Sequence, residues 1–281
     1  MFTIENNTYP VLGIDISTYS KDDFFLLVEE RLKEEDASAP PLFVVTVNPE
    51  IAIQSIIDKD FKEILRTSSI NTADGVGISW AVNFLYNKEI ERITGSDSLE
   101  IICGYCEKYN QSVFFYGAAP GVADKAAQVL KEKIKDLEVI GTYSPDSQDM
   151  PFDELPLQTK LALKNASVIF VALGAPAQEK WIHANLSRLT KCKLIIGIGG
   201  SFDFIAGNAK RAPVFFRKSG LEWMYRLYRE PSRWRRMMML PLFALNVLFL
   251  KSGSQSVQAS RQSIQAGPHS FSNNGNFKIS K

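Results

Sequence analysis

Apolar residues occur along the chain as short, nearly continuous runs of strand length. The runs are Val11–Ile16, Leu42–Val47, Val113–Tyr116, Val139–Tyr143, Val168–Leu173 and Leu194–Ile198. Continuous apolar runs are typical of parallel strands buried on both faces, whereas a strand with one solvated face alternates apolar and polar residues. The pattern therefore predicts a mainly parallel sheet.

Longer stretches with apolar residues three and four positions apart separate most of these runs, which is the spacing of a helix with one buried face. They are Lys21–Glu34, Glu50–Leu65, Ser96–Tyr109, Val122–Lys135, Leu155–Asn165 and Ala177–Leu189. Alternation of strands and helices predicts an α/β fold with helices flanking the sheet. In such a sheet, ligands bind at the carboxyl ends of the strands.

The pattern changes after Pro213, and we divide the chain into an α/β core (1–212), an appendage (213–251) and a tail (252–281). The appendage is helical in pattern, basic and aromatic, and it ends in the apolar segment Met237–Leu250. Its 14 residues are too few to span a bilayer and favour a docked or interfacial helix. The tail has few large apolar residues, which predicts disorder.

Charge divides along similar lines, although the formal net charge of the chain is only +1. Residues 1–208 hold 19 basic and 29 acidic residues, a net of −10, whereas residues 209–251 hold 10 basic and 2 acidic residues, a net of +8. A basic segment on an acidic body predicts an anionic partner, either phosphates, anionic lipid or nucleic acid.

Several classes of protein do not fit the sequence. Three cysteines make no disulfide framework and favour a reducing compartment, and Cys103 and Cys106 lie in a helical pattern that predicts buried thiols. The N-terminal residues lack the basic and apolar regions of a secretory signal, and no apolar stretch is long enough for a spanning helix. We therefore expect a cytoplasmic protein.

The first candidate residues for chemistry lie at the end of the apolar run Leu42–Val47. Thr46, near the end of that run, and Asn48, directly after it, could meet a ligand, or they could cap the next helix. Asp74 lies between small residues and precedes Gly75 and Gly77. Its carboxylate could take a proton from an attacking hydroxyl, or it could simply lie in a turn.

Further candidates lie at other strand ends. Arg92 could hold a carboxylate or phosphate through two hydrogen bonds, or form a surface ion pair. Gly117 opens a turn of small residues that could hold an anion at a helix N-terminus. Gln178, in the first turn of a predicted helix, could bond a sugar or base. Gly200 lies in a glycine-dense turn that could admit a ligand or serve close packing. Together these turns favour a nucleotide or phosphorylated ligand.

The basic segment carries Arg226, Arg229, Arg233 and Arg236, which would share one helix face if Pro231 did not interrupt the helix. Tryptophans and tyrosines lie among them. Arginine clustered with aromatic residues is consistent with pyrophosphate binding at a membrane surface, and the alternative is a solvated basic helix.

Together these segments resemble the WecG/TagA/CpsF family of glycosyltransferases. The matching segments are TVNPE at 46–50, ADGVG at 73–77, RITGSD at 92–97, GAAPGVA at 117–123, LGAPAQEKWI at 173–182, GGSFDFIAG at 199–207, KRAP at 210–213 and GLEWMYRLYREPSRWRR at 220–236. They occur in order over roughly residues 10–240, and their co-occurrence is far more specific than any one motif. The tail has no counterpart in this resemblance.

The resemblance implies a Rossmann-like core and a C-terminal appendage that completes the site at the membrane. It implies metal-independent, inverting transfer, without a cofactor, from a UDP-sugar to a sugar on undecaprenyl diphosphate. The donor in such proteins is often UDP-N-acetylmannosamine or its uronic acid. Their products include wall teichoic acid linkage units, enterobacterial common antigen and exopolysaccharide repeats.

The resemblance also implies roles for residues. The proposed base falls on Asp74, and other active-site positions fall on Thr46, Asn48, Arg92 and Gln178. The arginines of the appendage fall on Arg226, Arg233 and Arg236. The expected partners are the UDP-sugar, the lipid-linked acceptor and the inner face of the cell membrane, where the protein would bind peripherally. Nucleic acid is not expected, and self-assembly is left open.

Two other functions compete with this interpretation. A Rossmann-like oxidoreductase would need a GxGxxG motif and an acidic residue about 20 positions later, and the sequence lacks this pair. A non-catalytic membrane-binding or nucleic-acid-binding protein would leave Asp74 and the glycine turns without a role. Asp58-Lys59-Asp60 has the DxD form of a metal-binding motif, but it lies inside the predicted helix Glu50–Leu65 and is interpreted as a charged helix face.

Overall fold

A computed structural model of the chain describes residues 7–35, 39–213, 215–216, 219–229, 231 and 234–265. Its centre is a sheet of six parallel strands in the order β4-β3-β8-β7-β5-β6. The strands are β3 (Leu42–Val47), β4 (Ile70–Ala73), β5 (Val113–Gly117), β6 (Val139–Tyr143), β7 (Val168–Ala172) and β8 (Leu194–Gly197). The predicted α/β fold with a mainly parallel sheet is confirmed.

Helices cover both faces of the sheet. They are α1 (Lys21–Lys33), α2 (Pro49–Ile57), α3 (Lys59–Thr67), α4 (Val76–Tyr86), α5 (Gly95–Lys108), α6 (Val122–Lys133), α7 (Leu157–Asn165), α8 (Ala177–Asn185) and α9 (Ser201–Ile205), followed by α10 (Glu222–Arg229), α11 (Trp234–Met237) and α12 (Met239–Gln265). Short 3-10 turns lie at Phe152–Glu154 and Leu186–Arg188.

The apolar runs are continuous because alternate residues of each strand face different apolar layers. In β5, Phe115 packs into one buried cluster with Phe170, whereas Phe114 packs into the other with Ile169 and Val171. All five side chains are almost fully buried. This arrangement explains why the central strands lack the alternation of a half-exposed sheet.

The first apolar run, Val11–Ile16, was wrongly predicted to be a parallel strand. It contains the turn of an antiparallel hairpin of β1 (Thr8–Val11) and β2 (Ile14–Ser17). Leu12 and Gly13 both have positive φ, at 53° and 82°, as a two-residue hairpin turn requires. The hairpin lies beside β4, where Asn71 Nδ2 donates to Asp15 O at 3.3 Å, and it covers that edge of the sheet.

The predicted helix Glu50–Leu65 is two helices. Asp58 ends α2 and caps α3, since its Oδ1 accepts from Phe61 N at 2.9 Å. Its Oδ2 accepts from Lys180 Nζ of α8 at 2.6 Å. The DxD segment is therefore a helix junction rather than a charged helix face. Periodicity could not show the break, because both helices bury their apolar residues in the same cluster.

From Met239 onward, the apolar segment of the appendage forms the first half of α12, which packs against α2 and α4 and buries Phe243 and Val247. Lys251 Nζ donates to Phe84 O at 2.6 Å and lies over the Phe84 ring. The helix continues to Gln265, so it includes residues assigned to a disordered tail, and residues 266–281 lie outside the described part. Among the described residues, no helix is both long enough and apolar enough to cross a membrane.

Candidate active site

The carboxyl ends of β3 and β4 lie side by side and bring two predicted residues together. Thr46 pairs with Thr72 in the register of the two strands, and Asp74 N donates to Val47 O at 2.7 Å directly beyond them. Thr46 Oγ1 donates to Gly197 O of β8 at 3.0 Å, on the other side of β3. The sheet therefore fixes the backbone at Asp74 and the side chain of Thr46.

Asn48 caps a helix and also faces a cleft. Its Oδ1 accepts from Ile51 N at 3.0 Å and caps α2, while Pro49 occupies the first helical position. The same side chain lines a cleft of about 590 Å³ at the carboxyl ends of the strands. A cap leaves the amide nitrogen of Asn48 available for a ligand.

Most of the site residues predicted from the sequence line this cleft. It is lined by Thr46, Asn48, Asp74, Gln178, Gly200 and Arg236. They come from five separate parts of the chain, and the topology places those at strand ends together because β8 lies between β3 and β7. A ligand site at the carboxyl ends of the central strands is the arrangement expected of an open parallel sheet.

Gly117, which opens a turn predicted to hold an anion, does not itself line the cleft. Its φ is +103°, and an added Cβ would lie 2.7 Å from the carbonyl carbon of Ala172. Glycine is required there by the approach of β5 to β7. The next residue, Ala118, lines the cleft with a φ of +61°, held by a hydrogen bond from its N–H to Ala172 O at 2.8 Å.

Gly200 does line the cleft. An added Cβ would come no closer than 3.8 Å to Asp203 Oδ2, so close packing is not the reason for glycine at this position. The preceding residue, Gly199, has a φ of +53°. The turn after β8 therefore presents an open stretch of backbone to the cleft.

Gln178 lines the cleft at the start of α8, and Glu179 follows it in the first turn of that helix. Gln178 is 2% exposed, its Oε1 accepts from Gly199 N at 3.1 Å, and its Nε2 donates to Glu179 Oε1 at 2.6 Å. Glu179 is fully buried, and burial raises its pKa to about 7, although the bond from Gln178 opposes the shift. A buried carboxyl beneath the site was not predicted.

Arg92 lies in a smaller neighbouring cavity of about 210 Å³, together with Asn48 and Asp74. The far walls of this cavity are apolar and come from the appendage. They are Trp223, Met237, Met239 and Leu240. Asp74 therefore lies at the junction of a polar cleft and a partly apolar cavity.

The appendage also contributes charge to the site. Arg236 lines both cavities and makes a bidentate ion pair with Glu50, with its Nε 3.0 Å from both carboxylate oxygens and its Nη2 2.8 Å from Oε2. Arg233 and the side chain of Arg226 lie outside the described residues, so their roles stay predictions.

Several charged residues of the cleft had no role assigned from the sequence. Its charged lining residues are Glu50, Asp74, Asp203, Lys210, Arg229 and Arg236. Lys210 and Arg229 belong to the basic segment, so the division of charge was the signal that could have found them. The lining therefore holds three cations and three carboxylates, so the cations can balance negative charge on a diphosphate while a carboxylate accepts a proton.

Cys103 and Cys106, which the sequence predicted to be buried thiols, are buried. Cys103, Cys106 and Cys192 are free and buried, and burial raises the pKa of all three. Within the described part of the chain, no group of three histidine, cysteine or carboxylate side chains could hold a metal ion.

Comparison with known proteins identifies the family of this chain. A model of the glycosyl transferase WecG/TagA/CpsF family matches residues 9–256. The chain is 36% identical over 205 residues to an N-acetylglucosaminyldiphosphoundecaprenol N-acetyl-beta-D-mannosaminyltransferase of Bacillus subtilis (strain 168), which covers 73% of this chain and 78% of the relative.

Two further relatives carry the same name. One, from Bacillus spizizenii (strain ATCC 23059 / NRRL B-14472 / W23), is 32% identical over 86% of this chain and 91% of its own length. The other, from Staphylococcus aureus (strain MRSA252), is 28% identical over 84% and 91%. Since the family model matches residues 9–256, and a relative 36% identical aligns with 73% of this chain, this protein belongs to the WecG/TagA/CpsF family of glycosyltransferases.

Proposed function

We propose that this protein transfers N-acetylmannosamine, or a closely related sugar, from a UDP-sugar to N-acetylglucosaminyl-diphospho-undecaprenol in cell-envelope biosynthesis. The names of the relatives support this acceptor and this transferred sugar. The observation that carries the proposal is the position of Asp74, which lines both the polar cleft and the partly apolar cavity. A transferase needs its base where donor and acceptor meet.

The donor would occupy the larger, polar cleft. Its walls offer the backbone of the Gly199–Gly200 turn, the amide of Gln178 and the cations Lys210 and Arg229. Backbone N–H groups and cations are the ordinary partners of nucleotide phosphates. The lipid-linked acceptor would enter from the smaller cavity, where Trp223 and Met239 present apolar surface beside Arg92.

The reaction is a displacement at the anomeric carbon. Asp74 accepts the proton of the acceptor hydroxyl. The oxygen of that hydroxyl meanwhile bonds to the anomeric carbon from the face opposite UDP. The bond between the carbon and the diphosphate oxygen breaks, and UDP leaves with the electron pair. Lys210, Arg229 and Arg236 counter the charge that develops on the leaving group, which is why we propose no metal requirement.

The appendage would hold the protein at the inner surface of the membrane. The outer face of α12 exposes Leu245, Leu248 and Phe249, while its inner face is docked on the core. An exposed apolar helix face next to a basic segment suits peripheral binding to an anionic lipid surface. The acceptor is embedded in that surface, so binding there would bring the site to its substrate.

A donor panel tests the proposal. Purified protein is mixed with individual UDP-sugars and synthetic N-acetylglucosaminyl diphosphate on a shortened lipid, and the product linkage is read by NMR. We expect one preferred donor, an inverted anomeric centre and activity in the presence of a chelator. Retention of configuration, or no product with any UDP-hexose, would overturn the proposal.

A further inference from the structure

Glu179 lies directly beneath the cleft and is fully buried in the first turn of α8. We infer that Glu179 is a positioning residue for glycosyl transfer, which acts by fixing the side-chain amide of Gln178. The inference rests on the proposed function. Glu179 itself does not line the cleft, whereas Gln178 does, so any effect on the substrate passes through Gln178.

The orientation of the Gln178 amide is set by two fixed neighbours. The N–H of Gly199 can only donate, so the atom of Gln178 that lies 3.1 Å away must be the oxygen. The nitrogen is then directed to Glu179 Oε1, which accepts from it at 2.6 Å. An amide nitrogen carries two hydrogens, and the second remains for a ligand oxygen in the cleft.

Gly197 provides the space for this arrangement. A Cβ at this position would lie 2.7 Å from Gln178 Nε2 and 3.2 Å from Glu179 Oε1. The carbonyl of the same residue accepts from Thr46 Oγ1 at 3.0 Å. Gln178, Glu179 and Thr46 therefore meet around one residue of β8, and a shift of the amide would be transmitted to the turn that lines the cleft.

Stability does not account for a carboxyl at this place. Among the described residues, Glu179 Oε2 is buried without a hydrogen-bond partner. A buried polar atom without a partner costs about 1–3 kcal/mol, which offsets what the bond from Gln178 to Oε1 contributes, so an apolar side chain of the same length would be tolerated about as well. A group that adds little to folding yet holds a cleft residue in one orientation is best explained by its effect on the reaction.

The test compares three variants with the wild-type protein. Glu179→Met keeps the length and removes the acceptor, Glu179→Gln keeps an acceptor oxygen, and Tyr116→Phe is the control. Tyr116 of β5 stacks on Trp181 of α8, the helix that carries Glu179, with 4.1 Å between the ring centroids. Tyr116 does not line the cleft. Measurements are kcat and KM for the UDP-sugar and the melting temperature.

We expect Glu179→Met to lower kcat/KM about 10–100-fold, the usual effect of removing a partner that orients a site residue, without a lower melting temperature. Glu179→Gln should restore activity to within about threefold of wild type, and Tyr116→Phe should leave it unchanged. If Glu179→Met does not fold, Glu179→Asp replaces it, because its shorter side chain withdraws the acceptor.

A double-mutant cycle shows whether Glu179 acts through Gln178. Once Gln178→Met has removed the amide, adding Glu179→Met should lower kcat/KM no further. Independent, multiplying losses would overturn the inference, as would a folded Glu179→Met with wild-type kcat/KM. Both results leave the proposed function intact, whereas a wild-type protein that transfers no sugar overturns that function and, with it, this inference.

Discussion

Arg236 of the appendage and Glu50 of the core are joined by three hydrogen-bond contacts of 2.8–3.0 Å across the rim of the cleft. The two residues are 186 positions apart in the chain. Glu50 lies in the first turn of α2, whose N-terminus is capped by Asn48. The pair therefore ties the basic segment to the helix that follows the central strand β3.

This pair makes a prediction about how the appendage completes the site. Glu50→Gln should weaken the hold on Arg236 and lower kcat/KM several-fold, while stability changes by about 1 kcal/mol or less, as for other partly exposed pairs. Steady-state kinetics and urea unfolding measure the two effects.

The matched control is Glu63→Gln on α3. Glu63 pairs with Arg66 at 4.0 Å on the surface and does not line the cleft. The substitution Glu63→Gln removes the same charge from the protein without changing a residue at the rim of the cleft. Equal losses of activity in Glu50→Gln and Glu63→Gln would show that net charge, rather than the pair with Arg236, is responsible.

The proposed base makes the sharpest prediction. Asp74→Asn keeps the shape of the side chain but cannot accept a proton, so kcat should fall about 10²–10⁴-fold. The melting temperature should stay close to that of the wild type. Asp60→Asn, on the exposed surface of α3, is the control and should retain full activity. Turnover of Asp74→Asn close to wild type would exclude Asp74 as the base.

The sequence predicted the parallel sheet because buried strands are apolar throughout, and it predicted the cleft because strand ends meet at one edge. It did not predict the strand Ile70–Ala73, in which the polar residues Asn71 and Thr72 interrupt the apolar run. Their side chains are buried through hydrogen bonds, from Asn71 to Leu65 O at 2.8 Å and from Thr72 to Ile93 O at 3.0 Å. Such partners are tertiary contacts, which local patterns do not contain.

The same limit applies within the site. Glu50 and Glu179 look like ordinary charged residues at the starts of helices, where acidic side chains are common. Only the packing of α8 against β8 buries Glu179, and only the path of the appendage brings Arg236 to Glu50. At Gly117 a local pattern cannot distinguish a glycine needed for the close approach of β5 to β7 from a glycine in a ligand-binding turn.

Burial of Glu179 makes stability depend on pH. Its pKa is raised from 4.5 to about 7 in the folded protein, so the folded state holds a proton that the unfolded state has already released. This contribution is present at acidic pH and is lost as pH rises through about 7. Between pH 5 and pH 8 the loss is about 2 kcal/mol, from 1.36 kcal/mol per pKa unit.

Glu179→Gln cannot titrate and should lose this component. Urea unfolding at pH 5 and pH 8 gives the free energy of unfolding of both proteins. We expect the difference between the two pH values to be about 2 kcal/mol smaller in Glu179→Gln than in the wild type. Equal differences in the two proteins would mean that Glu179 titrates near its ordinary pKa when folded.

The outer face of α12 makes a prediction about membrane binding. Leu245 and Phe249 are 52% and 75% exposed, whereas Phe243 and Val247 of the same helix are buried against the core. Leu245→Gln/Phe249→Gln should therefore reduce binding to vesicles that contain anionic lipid, since burial of each large apolar side chain contributes about 1.5–3 kcal/mol. Stability and transfer to a short-chain acceptor in solution should change little.

Vesicle flotation measures the binding, and Leu157→Gln/Leu161→Gln is the control. Leu157 and Leu161 are 66% and 47% exposed on α7, which packs against β6 at the opposite edge of the sheet from β4. The control removes the same kind of apolar surface far from the appendage and should still float with the vesicles. If both double variants bind as the wild type does, α12 is not the surface that contacts lipid, and the basic segment alone would have to bring the cleft to its acceptor.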